Sequence, residues 1–522
     1  MTIYIFRWLS ISIILSIAIC QSAHSKTEVS FSENINVLVN RTIEEFNIPG
    51  IAVAIVKDNQ LIHAKGYGVR NINLTHAVDE NTLFQIASNS KSMTAAGLAI
   101  LIEDKKLSWD DKVIDFLPEF KLQNKYAEQE FTIKDLLTHR SGLPIGAGDL
   151  LFFPNPEKTT VNDIFNALAH IQPVSSFRNE YAYDNQLYIL AGEIIRRVSG
   201  LSWSEFIETR LFAPIGMQGC YGSHERVPEN ANQATPHIQI GDELVTYKYE
   251  SSELTAAAGG VNCSAVQMSK WLLLQLNKGK AANGNQVFSE ARHLEMWSPV
   301  TPINSRIDPV SGEVDFVFYA LGWGVGRKMN HQVIGHSGGV GGMLSKMTII
   351  PKQNLGIVIL TNGMNGYAVA ALENGLLEMI INEKHSRSFE DYLTLSQNDS
   401  SDAINEMAEQ WSNRDLTKKA TLPLASYANQ YADVWYGKVD IKMIDGELRF
   451  LSHRSADLTG TLKHFEGDSF VVIWDDRSLL ADAKLTFMLE KEAIIGIQME
   501  TFDPRADFSF DFHHLNLKPY AQ

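Results

Sequence analysis

Two sets of strand-like segments, set far apart in the chain with helical patterns between them, constrain this sequence most. Ile51-Ala-Val-Ala-Ile-Val56 reads as a buried strand; Lys57-Asp58-Asn59-Gln60 turns it, and Leu61 to Tyr67 returns as a hairpin. Strand patterns return at Tyr319 to Val325, His331 to Gly335, Leu344 to Ile350 and Gly356 to Thr361. Phe31 to Phe46 precedes the first set as a helix broken by Asn47-Ile-Pro49-Gly50, and Val369 to Ile381 follows the last as another. Between the sets, helical periodicity covers Met93 to Ile102, Thr132 to His139, Val161 to Ala169, Leu187 to Val198 and Val266 to Asn277. This order predicts an α+β fold, one sheet built from both ends of the domain with a helical insertion.

The texture changes after residue 385. Residues 386–420 are polar and charged and read as a linker, with one helix near Ala403 to Trp411. From 421 to 522 the pattern is all-β. Gly437 to Met443 and Leu448 to Leu451 flank the turn Asp445-Gly446; Ser469 to Trp474, Lys484 to Leu489 and Ile494 to Met499 follow, and Phe508-Ser-Phe510-Asp-Phe512 alternates strictly. A small barrel or curled sheet is expected there. The chain thus divides into 1–25, a domain at 31–385, the linker and the β domain, as its 522 residues allow.

Residues 1–25 read as a secretory signal: Arg7 is the positive start, Trp8 to Cys20 the apolar run, and Ala23-His24-Ser25 the small-residue site, with cleavage expected after Ser25. A periplasmic or secreted protein follows, with no stable membrane span after cleavage. The net charge of −16 argues against nucleic acid or anionic membrane surfaces as partners. Cys220 and Cys263 either pair in an oxidising compartment or are simply buried. No Cys/His spacing suggests a metal, and neither a metal nor an organic cofactor is expected.

The chemistry-bearing residues begin with Ser88-Asn-Ser-Lys91 at the head of the Met93 to Ile102 helix. A serine hydroxyl needs an adjacent base, and residues three apart on a helix share a face. A lysine buried in an apolar helix start loses its proton more readily than in water. Ser88 is therefore read as nucleophile and Lys91 as its base. Tyr183-Asp184-Asn185 opens a second helix, and His336-Ser337-Gly338-Gly339 lies on or beside a late strand. Each short motif recurs by chance; Tyr427-Ala428-Asn429 repeats the tyrosine pattern in the β domain.

Taken in order, these motifs resemble the penicillin-recognising serine hydrolases, a group of class C β-lactamases, D-aminopeptidases, D,D-peptidases and related esterases. The resemblance covers about residues 35 to 385. It extends to Thr132-Ile-Lys-Asp-Leu-Leu-Thr-His-Arg-Ser-Gly-Leu-Pro144, to Ala258-Gly-Gly260 and to Leu321-Gly-Trp323-Gly-Val-Gly326. It implies a β-lactamase/transpeptidase-like fold and an acyl-enzyme on Ser88. Lys91 and Tyr183 would handle protons, with neighbouring cations favouring the Tyr183 phenolate. Asn185, His336 and Gly338 would contact substrate, and the backbone N–H groups of Ser88 and Gly339 would form the oxyanion hole. The β domain resembles the lipocalin-like appendage of some such hydrolases.

One position departs from the β-lactamase pattern. Those enzymes carry lysine where His336 stands, and an imidazole is mostly neutral at pH 7. The resemblance therefore leans to hydrolysis of D-amino acid-containing peptides or amides, or of small esters. A β-lactamase or a non-turnover penicillin-binding sensor is the alternative. The partner is a small-molecule or short-peptide substrate, and a homo-oligomer is left open. Gly335-His-Ser337-Gly-Gly339 also fits a nucleophile elbow, but a strand rather than a helix is expected after it.

Overall fold

The computed structural model describes residues 31–155, 159–248, 252–307 and 314–520, so the expected signal segment lies outside the described residues. Helix α1 (31–45) leads into strands β1 (Gly50–Lys57) and β2 (Gln60–Gly68). The nucleophile helix α2 (Ser90–Glu103) and helix α3 (Asn185–Ser199) belong to the helical insertion. Strands β3 (Thr301–Ile307), β4 (Val314–Tyr319), β5 (Gly324–Lys328), β6 (His331–Val340), β7 (Met343–Ile350) and β8 (Leu355–Thr361) then complete one antiparallel sheet of order β2-β1-β8-β7-β6-β5-β4-β3. Helix α4 (Gly366–Ile381) closes this domain.

The unbroken apolar run of β1 has a direct cause: both faces of the sheet are covered. Ile51, Val53 and Ile55 pack with Val39 of α1 and Leu372 and Leu376 of α4. Ala52, Ala54 and Val56 face the other way, into the core shared with Met93 and Leu98 of α2. Alternate side chains of a strand serve opposite faces, so a strand buried on both sides loses its polar partner positions.

Several sequence expectations need correction. Residues 301–307 and 314–318, where no strand is expected, belong to β3 and β4. Tyr319 to Val325 is two strands rather than one, because residues 320–323 turn between β4 and β5 with Gly322 at φ +77°, a conformation that favours glycine. The linker helix is α5 (Phe389–Asn413), far longer than 403–411. A capping box of Ser388 and Asp391 starts it, and its first turns rest on the hydrolase-like domain, with Phe389 edge-on to Phe46 at 5.4 Å and Tyr392 buried. Phe508 to Phe512 is not a strand, for the reason given with the active site.

The β domain is a closed eight-stranded barrel: β9 (Asn429–Asp433), β10 (Gly437–Ile444), β11 (Glu447–Ser452), β12 (Thr459–Glu466), β13 (Ser469–Trp474), β14 (Ala483–Glu490), β15 (Ala493–Thr501) and β16 (Asn516–Pro519). Asp445 and Gly446 both take positive φ, as a two-residue hairpin turn requires. The last strand closes the barrel by pairing with β9 and with β15, so no edge is left exposed. β9, β12 and β16 escape the sequence reading because they are short or carry polar and glycine positions. Cys220 and Cys263 are joined as a disulfide, with Cα atoms 4.4 Å apart; Cys263 pairs across from Phe84, just ahead of Ser88.

Candidate active site

Ser88 sits in a short 3₁₀ turn, Ala87–Asn89, that runs straight into α2. Ala87 takes φ +47°, a left-handed conformation uncommon outside glycine, and local clamps hold it. Asn89 Nδ2 donates to Ser345 Oγ at 2.7 Å, and Ser345 Oγ donates to the Ile86 carbonyl at 2.6 Å, so β7 pins both sides of the nucleophile turn. The first three turns of α2 are wholly buried, which encloses Lys91.

Lys91 Nζ lies 3.0 Å from Ser88 Oγ, 2.7 Å from Asn185 Oδ1 and 2.8 Å from the Ala258 carbonyl. Burial pulls its pKa down to about 7, against the pull of Asp149 and Asp184 in the other direction. A neutral amine has two N–H donors and one lone pair. The Asn185 and Ala258 oxygens can accept only from the N–H bonds, so the lone pair is left to face the Ser88 hydroxyl. The Ala258-Gly-Gly260 motif thus has a role the sequence reading did not assign: its carbonyl orients the amine.

Tyr183 donates its hydroxyl to Ser88 Oγ at 2.7 Å. Burial raises its pKa well above 10, so it is a phenol and not the phenolate the resemblance implied. His139, from the Thr132 to Pro144 stretch, packs its ring 4.2 Å from that of Tyr183. Its Nδ1 accepts the Asp184 backbone N–H at 3.1 Å, which places its proton on Nε2.

His336 is brought to the same cleft but is fully engaged. Its Nδ1 lies 2.6 Å from the Ser337 carbonyl and must carry the proton, which leaves Nε2 to accept the Tyr319 hydroxyl at 2.8 Å. Burial and nearby Lys91 push its pKa down to about 3, so the third motif carries no charge at neutral pH. Tyr319 was missed in the sequence because a tyrosine in a strand reads as core.

Gly338 is buried against the nucleophile turn, while Gly339 lines the cleft beside Ser88. A Cβ on Gly338 would collide with the Ile86 carbonyl and come within 2.9 Å of Ser88 N. Gly338→Ala should therefore push β6 off the Ser88 turn and lower kcat by about 100-fold, on the scale of losing one oxyanion donor; kcat measured beside the thermal midpoint checks this. Beyond Gly335, β6 has lost β5 as a neighbour, and its 336–340 edge faces the cleft.

The cleft has a volume of about 930 Å³, and besides the β6 edge it is lined from several parts of the chain, among them Ile404 of α5. The helical insertion contributes Phe152, Phe153 and Tyr181, a hairpin contributes Ile238 and Tyr247, and the barrel contributes Leu480, Phe508 and Phe510. Phe508 lies edge-on to Tyr183 at 5.7 Å, and Phe510 to Phe153 at 5.1 Å. The strict alternation at 508–512 therefore has another origin than a strand. Phe510 and Phe512 stack with each other at 5.6 Å, whereas Ser509 and Asp511 bond to the hydrolase-like domain. Among the described residues no cluster of His, Cys, Asp or Glu is arranged to hold a metal, and no helix is long and apolar enough to cross a membrane.

Residues 38–378 match the family described as Beta-lactamase, and residues 413–519 match a domain of unknown function, DUF3471. The chain is similar to Unguisins hydrolase ungD' of Aspergillus campestris, 26% identical over 377 residues that cover 69% of this chain and 67% of the relative. It is also similar to Protein flp of Staphylococcus aureus, 28% identical over 67% of each chain. In fold it resembles the octameric penicillin-binding protein homologue from Pyrococcus abyssi, with a TM-score of 0.59 at 21% identity, covering 93% of this chain and 99% of that one. With the family match spanning well over half its length around the Ser88, Lys91 and Tyr183 cluster, the chain belongs to the beta-lactamase family.

Proposed function

We propose that this chain hydrolyses amide or ester bonds through an acyl-enzyme on Ser88, acting on D-amino acid-containing peptides or amides or on small esters. The observation that carries the reading is the fully buried Lys91 amine 3.0 Å from the Ser88 hydroxyl, its pKa pulled down by burial to about 7. Ser88 Oγ attacks the carbonyl carbon as Lys91 takes its proton. The Ser88 and Gly339 N–H groups receive the oxyanion. Tyr183, hydrogen-bonded to Ser88 Oγ, passes a proton to the leaving group and is restored from Lys91. Water then repeats the sequence on the acyl-enzyme, returning the Ser88 hydroxyl. The apolar and aromatic cleft walls suit uncharged side chains, and the 336–340 edge suits an extended peptide.

The uncharged His336 disfavours β-lactam turnover, since no fixed cation from the third motif meets a substrate carboxylate. A panel of D-amino acid anilides, short-chain p-nitrophenyl esters and a chromogenic cephalosporin, run on wild type and Ser88→Ala, tests the proposal. Turnover of anilides or esters above the cephalosporin supports it. A stable acyl-enzyme in the mass spectrum with no released product would favour the non-turnover sensor. Tyr183→Phe removes a proton donor and leaves the amine in place; it is expected to lower kcat by about 10²-fold, less than loss of Lys91.

A secreted or periplasmic location is part of the proposal. It is supported by the apolar run at Trp8 to Cys20 and by the Cys220–Cys263 disulfide, which persists in oxidising compartments. An intact-mass measurement of exported protein should find a chain starting at Lys26.

A further inference from the structure

The barrel reaches further into the site than a wall does. Asn185, whose Oδ1 lies 2.7 Å from the Lys91 amine, donates its Nδ2 to Asp149 Oδ2 at 2.8 Å. That same Asp149 oxygen accepts the hydroxyl of Ser509, a barrel-domain residue, at 2.9 Å. The loop carrying Asp149 is fastened to the barrel again one step away. Asp511 Oδ2 accepts the Gly148 N–H at 2.7 Å and Oδ1 accepts the Leu150 N–H at 3.1 Å, bracketing Asp149 on both sides. Asp149 and Asp511 are fully buried and Ser509 nearly so.

We propose that Ser509 is a positioning residue of the hydrolytic reaction: through Asp149 it fixes the Asn185 amide, and so aims the Lys91 lone pair at Ser88. The inference rests on the serine-hydrolase reading above. An amide side chain can rotate about its last bond and exchange its oxygen for its nitrogen. If Asn185 turned its NH₂ toward Lys91, the amine would have to spend its lone pair there and could not receive the Ser88 proton. Asp149 Oδ2 prevents this by accepting from Nδ2, and Ser509 and Asp511 keep Asp149 in place. Hydrogen bonds to the charged form of Asp149 do not offset its surroundings: burial and the adjacent Asp511 and Asp184 hold its pKa well above the usual carboxylate range. The groups around this relay are Lys91 on α2, Tyr183, Asp184 and Tyr188 at the head of α3, Asp511 and His514 from the barrel, and His139, Tyr319 and His336 beyond.

The test uses the full chain and two probes: p-nitrophenyl acetate for steady-state kinetics, and a fluorophosphonate whose covalent capture of Ser88 reports its nucleophilicity without a substrate-binding step. Ser509→Ala is expected to lower kcat and the fluorophosphonate rate together by about tenfold, the rate equivalent of one buried hydrogen bond, with KM within about twofold. Ser509→Thr keeps a hydroxyl and should recover most of the rate. Arg454→Ala breaks a different contact between the barrel and the helical insertion, its ion pair with Asp163 at 3.3 Å, away from the cleft and the relay, and should leave kcat and the fluorophosphonate rate near wild type. The proposal is overturned if Ser509→Ala changes only KM, if Ser509→Thr is as slow as Ser509→Ala, or if Arg454→Ala slows capture equally, which would reduce the contact to docking. Should Ser88→Ala keep the wild-type rate, the serine-hydrolase reading itself falls; a dead Ser88→Ala with an unchanged Ser509→Ala sinks the positioning role alone.

Discussion

Lys91→Met should remove hydrolysis almost completely, by on the order of 10³–10⁴ in kcat for loss of the general base, while leaving a folded protein. The side chain is fully buried, and methionine fills similar volume without a charge to desolvate. The wild-type pH profile carries the same information. Only the unprotonated amine can accept the Ser88 proton, so kcat/KM should fall on the acid side with a midpoint near pH 7, where Lys91 titrates. Asp184, fully buried at the head of α3 and pushed up to about 7 chiefly by burial, titrates in the same range. The limb therefore belongs to the two groups together.

The stability consequence has a definite sign. Lys91 has a folded pKa of about 7 against an ordinary value of 10.5, so between these values the unfolded chain binds more protons than the folded one. Stability attributable to this residue then rises with pH across that window. Below about 7 both states are protonated and the full cost of burying the ammonium is present. Wild type should accordingly gain thermal stability relative to Lys91→Met as pH is raised from about 7 toward 10. A difference in thermal midpoints that stays flat over that range would mean the amine is not desolvated as described.

Ser88→Ala is the second large effect. With the nucleophile gone, turnover should drop by on the order of 10⁶, the loss found when a covalent catalyst is removed outright, and no mass increment should appear with fluorophosphonate. The fold should tolerate the change. The Ser88 side chain makes no capping bond to the helix it precedes, and the clamps on its turn come from Asn89 and Ser345. The thermal midpoint should move by no more than about 2 °C, as for a substitution away from the core. A variant that lost activity by unfolding would show both changes together, and circular dichroism separates the cases.

The residues of this site were unevenly legible. Ser88 and Lys91 are three apart where a 3₁₀ turn runs into α2, and local helical geometry alone brings them together. The hydrolase-like sheet was legible too, because apolar runs in β1, β7 and β8 record that both faces are covered. Asp149, Tyr319, His139 and Ser509 were not legible as site residues. Each owes its role to a partner from a distant stretch, and such pairings leave no period in the sequence. The alternation at 508–512 even pointed the wrong way, since a pattern made by two packing partners imitates a strand.

What the sequence determined by itself was the chemical inventory and the local frames that present it: a hydroxyl and an amine at the head of one helix, a phenol and an amide at the head of another, glycines on a strand. What tertiary structure alone decided was the protonation of those groups and their aim. Charge state depends on what excludes water from each atom, and aim depends on hydrogen bonds closed across the fold. That is why His336 could be named from the chain, whereas the burial that drives its pKa down to about 3 and the Tyr319 hydroxyl that occupies its Nε2 exist only in the folded protein.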